Sequence, residues 1–243
     1  MSEAGCVIPG RGTKDRPGLS ETVLRPSSGP MWRRLIQAAM LADCRSRGLT
    51  FGRSCRVLGR PRIRVVDEAT VVCRDDVVLN STPRGYHAGM SFPVTLFADR
   101  PGAEVVIGSG SRLHGCCIHA WSRISIGRKC LFAAGSQVLD AAGHLADLRF
   151  SRLRDRLQDV PEPVSIGDFS WLCLGAIVLK GANLGEGSIV AAHAVVRAGV
   201  YPPYSLLAGS PAKVVRSVPM EDVLKEDYPI ELLAAEGLGI HAY

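Results

Sequence analysis

The sequence predicts an all-β fold, a parallel β-helix with a short helix at each end. Small residues near the repeat starts and the lack of alternating strand and helix segments favour it. The main signal is aliphatic residues at intervals of six: Ile166, Leu172, Val178, Leu184, Val190 and Val196. A triangular coil turns a corner every six residues and points one such side chain inward, so stacked coils bury a continuous column.

The N-terminal region predicts a tail and a capping helix. Residues 1–30 are rich in Gly, Pro and Ser without periodicity, which is typical of a flexible tail. Residues 31–48 predict a helix that caps the coils and ends near Gly48. Contact of its apolar stripe with a membrane surface is an alternative. The stripe contains Trp32, Leu35, Ile36, Ala39 and Met40.

Residues 49–218 predict the coil domain. Earlier in the chain, the same six-residue register runs from Ile126 through Phe132 and Val138 and reaches His144. Ile107 lies nineteen residues before Ile126. We expect insertions at 82–104 and 145–163, which often carry the binding surface of a repeat protein. Residues 219–243 predict a C-terminal helical tail. Degenerate first coils are expected around Val57, Ile63, Val72 and Val78.

Composition excludes several classes of protein. The chain has 243 residues, is 47% hydrophobic and carries a net charge of +6, mostly from arginine. No basic run alternates with aromatic residues, so nucleic acid binding is not expected. Neither an export signal nor an eighteen-residue apolar run is visible, so we expect a cytoplasmic protein with reduced cysteines.

Four motifs carry a family resemblance: "VLDAAGH", "SIGDFSW", "GSIVAAHAVVRAG" and "LLAGSPAKVVR". Residues 50–218 resemble the left-handed β-helix acyltransferases with hexapeptide repeats, within them the galactoside, maltose and O-antigen O-acetyltransferase group. The resemblance implies a left-handed coil, acetyl-CoA as acyl donor, no metal, and a homotrimer. It also implies an active site in the groove between two subunits.

The same resemblance assigns site residues. Its catalytic pattern, Asp-x-x-x-His, falls on Asp140 and His144. Two departures from the family pattern are Cys173, which follows Trp171-Leu172, and His193, where glycine is usual. The positions that match the family's donor-binding residues are Trp171, Leu174, Ala192, Arg197, Lys213 and Arg216.

Acyl transfer from a thioester to a hydroxyl needs a base, and a neutral imidazole at His144 can take the hydroxyl proton and return it to the departing thiolate. Asp140 either fixes the tautomer of that ring or forms a turn by bonding to its own backbone. The predicted activity is O-acetylation of a sugar or glycosylated acceptor, with N-acetylation of an amino sugar as the alternative.

Two other classes of protein stay open from the sequence. His114 and His119 have a spacing found in trimeric β-helical zinc enzymes of the γ-type carbonic anhydrase kind. A third histidine is missing near positions 78–83, where such a site needs it. A non-catalytic β-helix that serves as an assembly scaffold is the other class. The sequence does not identify the acceptor.

Overall fold

The computed structural model describes residues 30–229, which form short strands and few helices. In chain order the elements are α1 Met31–Ser46, β1 Leu49–Phe51, β2 Arg56–Leu58, β3 Arg62–Val65, β4 Thr70–Cys73, β5 Val78–Asn80, β6 Thr95–Ala98, β7 Glu104–Ile107, β8 Arg112–His114, β9 Cys117–Ala120, β10 Arg123–Ile126, β11 Leu131–Phe132, β12 Gln137–Leu139, a 3₁₀ helix Leu148–Leu153, β13 Val164–Ile166, β14 Trp171–Leu172, β15 Ile177–Val178, β16 Ala182–Leu184, β17 Ile189–Val190, β18 Val195–Val196, β19 Gly199–Tyr201, β20 Ser205–Gly209, β21 Ala212–Ser217 and a 3₁₀ helix Met220–Asp222.

The chain visits three sheets in rotation, so each strand up to β17 pairs with the strand three positions further on. Sheet A contains β1, β4, β7, β10, β13, β16 and β19; sheet B contains β2, β5, β8, β11, β14, β17, β20 and β21; sheet C contains β3, β6, β9, β12, β15 and β18. The strand pairs are parallel, except that β21 folds back antiparallel on β20. The prediction of a mainly β fold is therefore confirmed, with parallel sheets.

Aliphatic columns fill the space between the sheets. The column of sheet B is continuous from the first coil to the last, and each of its members is at most 1% exposed. It contains Val57, Leu79, Leu113, Phe132, Leu172, Val190 and Leu207, in register. The six residues from Ile166 to Val196 that define the period are all buried, as predicted.

The predicted register is wrong by one residue in the second coil. Cys73 and Leu79 enter the columns, where Val72 and Val78 were expected, because Cys73 pairs with Ile107 and Leu79 pairs with Leu113. Successive side chains of a strand point to opposite faces, so a shift of one residue exchanges the inner and outer sets. The period of six is kept, and only its phase changes.

The capping helix packs through its last turns. Cys44 is 1% exposed, and Met40 packs against the core. The first half of the predicted stripe is not buried, since Trp32, Leu35 and Ile36 are exposed. Gly48 follows with φ of 93°, a conformation that favours glycine and ends the helix. No helix within residues 30–229 has the length and apolar character to cross a bilayer.

The insertions differ from their predicted bounds. The first lies between β5 and β6, and the end of the predicted range 82–104 contains strand β6, Thr95–Ala98. The second begins at Asp140, directly after β12, and ends before β13 at Val164. Of the predicted helical tail, 219–243, the structure shows the 3₁₀ helix Met220–Asp222, and its remainder from residue 230 lies outside the described residues, as does the predicted tail 1–29.

Candidate functional site

The loops that lead from sheet B to sheet C form one continuous edge of the fold, here named the B–C edge. Most of these loops are short, and each bonds to the backbone of its neighbour. The hydrogen bonds run from Gly115 N to Asn80 O (2.9 Å), Gly135 N to Gly115 O (2.8 Å), Gly175 N to Ala134 O (3.1 Å) and His193 N to Leu174 O (2.9 Å). This backbone ladder places Leu174 and residues 191–194 beside each other.

A cross-strand row on the outer face of sheet B joins Trp171 to Arg216. Trp171 pairs with Ile189, Ile189 pairs with Leu206, and Leu206 pairs with Arg216. Three strand spacings separate the two ends, roughly 14 Å. Trp171 is 45% exposed, and Arg216 is also exposed. The row therefore offers an apolar surface with a cation at one end.

The remaining predicted donor residues divide into two groups. Lys213 is exposed on β21, opposite Ala208, close to Arg216. Leu174 is partly buried on the B–C edge, and Ala192 is exposed on the same edge. Arg197 lies elsewhere, in the loop between β18 of sheet C and β19 of sheet A. One copy of the chain thus brings together five of the six predicted donor positions.

The loops that lead from sheet C to sheet A form a second edge, here named the C–A edge, and the insertion 140–163 leaves from it. Arg197 is on this edge, and so is His144. Because the chain leaves sheet C after Leu139, His144 is not a corner residue of the coil, which corrects the predicted register. Its side chain is exposed.

The predicted pairing of Asp140 with His144 is absent from the structure. Asp140 is fully buried, and its two carboxylate oxygens accept hydrogen bonds from the backbone N–H groups of Trp121 and Ser122, each at 2.7 Å. Among the hydrogen bonds of residues 30–229, none joins Asp140 to His144. Asp140 therefore holds the corresponding turn of the preceding coil, at the C–A edge. Its role is structural, but the backbone that it bonds belongs to a neighbouring coil and not to its own turn, which differs from both alternatives drawn from the sequence.

A backbone carbonyl orients His144 instead. Its Nδ1 lies 3.1 Å from the carbonyl oxygen of Arg154, in the same insertion. Because a carbonyl oxygen only accepts, the proton of the neutral ring is on Nδ1, and Nε2 is left with its lone pair. His144 therefore presents a proton acceptor on an exposed segment, which is what a general base requires.

An ion pair between the buried carboxylate of Asp159 and the partly exposed Lys180 anchors the insertion that carries His144. Lys180 Nζ donates to Asp159 Oδ1 at 2.7 Å, and the backbone N–H of Ala142 donates to Asp159 Oδ2 at 2.7 Å. Burial alone would raise the pKa of Asp159, but Lys180 and the Ala142 N–H outweigh it and lower the pKa. The sequence does not reveal this pair, because nothing in the repeat pattern links positions 159 and 180.

The two histidines of the zinc alternative lie on different sheets. His114 is on β8 of sheet B and contacts Asn80, whereas His119 is on β9 of sheet C, with Nε2 at 3.2 Å from Trp121 Nε1 and 3.1 Å from Asp99 Oδ1. Across residues 30–229, no group of three or more His, Cys, Asp or Glu side chains is arranged to hold a metal ion.

Part of the chain is similar to proteins that carry acetyltransferase names. It is 33% identical over 118 residues to "Probable acetyltransferase Rv3034c" of Mycobacterium tuberculosis, which is 49% of this chain and 37% of that protein. A Schizosaccharomyces pombe protein with an acetyltransferase name is 46% identical over 59 residues, 24% of this chain and 28% of its own length. The aligned segments thus span less than half of these relatives. No protein-family model matches the chain.

Among solved structures, the fold resembles that of a galactoside acetyltransferase in complex with coenzyme A. The TM-score is 0.48 at 16% sequence identity, and the alignment covers 83% of this chain and 80% of the other.

Proposed function

We propose that this protein is a coenzyme A-dependent acyltransferase, an O-acetyltransferase that acts on a sugar or glycosylated hydroxyl. The observation that carries the proposal is the solvent-facing surface of sheet B and its edge, where Trp171, Leu174, Ala192, Lys213 and Arg216 lie together. An extended donor with an apolar arm and phosphates at one end fits an apolar row that ends in cations. The partial identity to acetyltransferase-named proteins supports the same class.

The proposed fold is a left-handed parallel β-helix that assembles as a homotrimer. His144 and Arg197 lie on the C–A edge, whereas the other donor positions lie on sheet B and the B–C edge. A closed ring of three copies brings the C–A edge of one copy against sheet B of its neighbour. Each active site then takes its base from one subunit and its donor surface from another.

The proposed reaction begins with attack of the acceptor hydroxyl oxygen on the thioester carbonyl carbon. Nε2 of His144 takes the hydroxyl proton, and the carbonyl electron pair moves onto the oxygen. The tetrahedral intermediate collapses with cleavage of the carbon–sulfur bond, and His144 returns the proton to the thiolate. The products are the O-acetyl ester and free coenzyme A.

Three measurements test this proposal. Light scattering should give three times the chain mass of 26.0 kDa at micromolar concentration. Calorimetry should show binding of acetyl-CoA, and a screen of sugars should show release of the free thiol with at least one acceptor. A monomer across a dilution series, or no heat of binding with acetyl-CoA, would contradict it.

A further inference from the structure

His114 lies on the same outer face of sheet B as Trp171. It ends strand β8, which is separated from the strand of Trp171 by β11 alone. Arg112 is the residue of β8 in register with Trp171, and His114 lies two residues further along, toward the B–C edge. Two strand spacings and two residue rises together correspond to roughly 12 Å. The residue after it, Gly115, belongs to the backbone ladder of the B–C edge that continues through Gly135 to Gly175, next to Leu174. His114 therefore lies at one end of the proposed donor surface, and Arg216 lies at the other.

The hydrogen bonds around His114 fix the tautomer of its ring. Asn80 Oδ1 accepts from the backbone N–H of Thr82 at 3.1 Å, so the amide nitrogen of Asn80 faces Nδ1 of His114, also at 3.1 Å. An amide nitrogen only donates, so Nδ1 is the acceptor and the ring proton is on Nε2. Within residues 30–229, this is the one hydrogen bond of the His114 side chain, and Nε2–H faces away from Asn80.

The ring is also held in place and kept neutral. It stacks on Tyr86 with centroids 5.1 Å apart, and the Tyr86 hydroxyl accepts from the backbone N–H of Ala134 at 3.2 Å. Burial, with Arg112 and His87 nearby, lowers the pKa of His114 to about 4. Protonation would turn Nδ1 into a donor facing the Asn80 donor, so the contact and the neutral ring support each other.

We propose that Nε2–H of His114 donates a hydrogen bond to the acyl carbonyl oxygen of the donor and stabilises its negative charge in the tetrahedral intermediate. This inference rests on the proposed acyltransferase function. A preorganised neutral donor is suited to an oxyanion because it gives up no proton during the reaction. His114 thus complements the proposed base His144. In both rings Nδ1 makes the hydrogen bond to the protein, and Nε2 carries a proton in His114 but a lone pair in His144.

The experiment compares His114→Phe, which keeps a ring to stack on Tyr86 but has no N–H, with His114→Gln, which keeps an N–H donor. The probe reaction is hydrolysis of acetyl-CoA, in which water replaces the acceptor and the carbonyl oxygen develops the same charge. We expect His114→Phe to lower kcat by about 10²–10³. The dissociation constant of acetyl-CoA should change less than about threefold, and His114→Gln should recover at least about tenfold of the loss.

Two spectroscopic readouts separate this role from a structural one. The infrared carbonyl band of acetyl-CoA labelled with carbon-13 should shift to lower frequency on the wild-type protein, keep the shift on His114→Gln and lose it on His114→Phe. Nitrogen-15 NMR of the His114 side chain at neutral pH should show a protonated Nε2 and an unprotonated Nδ1.

Several results would overturn the inference: a Phe variant within about threefold of wild type, a Gln variant as slow as Phe, or a proton on Nδ1. If neither variant folds, a proton on Nδ1 of His114 or an unshifted carbonyl band on the wild-type protein would still overturn it. Absence of acetyl-CoA binding by the wild type would instead overturn the proposed function itself.

Discussion

The B–C edge and the C–A edge run along the same coils, yet they are built differently. Beyond the first insertion, the B–C edge consists of tight loops whose backbones bond to one another from Asn80 to His193. The C–A edge opens after Leu139 into the segment 140–163, which is tied to the next coil by the pair of Asp159 with Lys180 and by backbone hydrogen bonds such as Gly181 N to Glu162 O (3.2 Å). Backbone hydrogen bonds that repeat from loop to loop are the main contacts that position the first edge, whereas the second depends more on specific side chains.

The proposed chemistry divides along the same line. The donor surface and the neutral donor His114 belong to sheet B and the B–C edge, and the proposed base His144 belongs to the C–A edge. Because these groups lie on different sheets and edges of one copy, the proposed reaction requires contact between copies.

Replacement of His144 by alanine tests the C–A edge. We expect turnover to fall by about 10²–10⁴ because the proton acceptor is lost, with acetyl-CoA affinity and trimer mass unchanged. Steady-state acetyl transfer and calorimetry measure this. Leu148→Ala, on the same segment and 85% exposed, is the matched control. A variant that keeps more than about a tenth of the turnover would mean that another base acts, and His119 is the first to test.

Removal of two cations tests the donor surface of sheet B. Lys213→Ala with Arg216→Ala should raise the dissociation constant of acetyl-CoA at least about tenfold, because hydrogen bonds to charged groups contribute about 1.5–3 kcal/mol each. Calorimetry measures the affinity. Arg33→Ala with Arg34→Ala removes the same charge from α1 and should leave it unchanged. Equal affinities in both double variants would show that Lys213 and Arg216 are merely solvated.

Lys180→Met tests the anchor of the segment that carries His144. Loss of the cation leaves the buried Asp159 carboxylate with backbone N–H donors alone, so we expect the free energy of unfolding to fall by about 2 kcal/mol. Lys129→Met, which breaks an exposed pair with Glu226, should cost less than about 1 kcal/mol. Denaturant unfolding compares the two. Similar losses would show that the buried pair is no stronger than a surface pair.

The pair of Asp159 with Lys180 also predicts how the free energy of unfolding changes at acidic pH. The pKa of Asp159 is lower in the folded protein than its ordinary value of 3.8. A carboxyl group whose pKa is lowered in the folded protein stabilises the fold at pH values above its ordinary pKa. This stability is lost as the pH falls through the lowered pKa. Lys180→Met should therefore reduce the loss of stability on acidification below about pH 4 relative to wild type.

Asp140→Asn has the smallest expected effect on acetyl transfer and tests whether Asp140 acts through His144. The amide keeps one acceptor for the Trp121 and Ser122 N–H groups and loses the other, so we expect a loss of about 1–3 kcal/mol in unfolding free energy. The pH profile of acetyl transfer should match the wild type, because Asp140 does not contact His144. A changed profile in a variant of normal stability would restore Asp140 as the partner of His144.

Much of the fold was predictable because the repeat is a local pattern. The aliphatic period located the columns from Ile166 to Val196, and the pairing of strands three apart follows from it. The phase of the second coil was not predictable, since Val71, Val72, Val78 and Leu79 are all apolar and only pairing with Ile107 and Leu113 decides between them. The exposed face of α1 was also missed, because a helical stripe does not reveal which of its turns meets a neighbour.

The positions of site residues within the repeated coil were predictable from the sequence, whereas the contacts of His144 and His114 were not. The positions of Trp171, Leu174 and Ala192 relative to each other follow from the repeat. The carbonyl of Arg154 that orients His144 has no side-chain signal, and the Asn80 contact that fixes His114 joins residues thirty-four positions apart. Asp140 was ambiguous because a carboxylate that bonds to backbone and one that bonds to imidazole look the same in sequence.

The most direct test of the shared site is subunit complementation. One subunit carries His144→Ala, and the other carries Trp171→Ala, Lys213→Ala and Arg216→Ala; each has its own affinity tag, and trimers that contain both are purified through the two tags in succession. Each mixed trimer then has one interface with an intact base and an intact donor surface. At an acetyl-CoA concentration well below the raised dissociation constant of the donor-surface variant, we expect about one third of the wild-type rate per trimer, although each parent alone is nearly inactive. Turnover no higher than the sum of the two parents would contradict it.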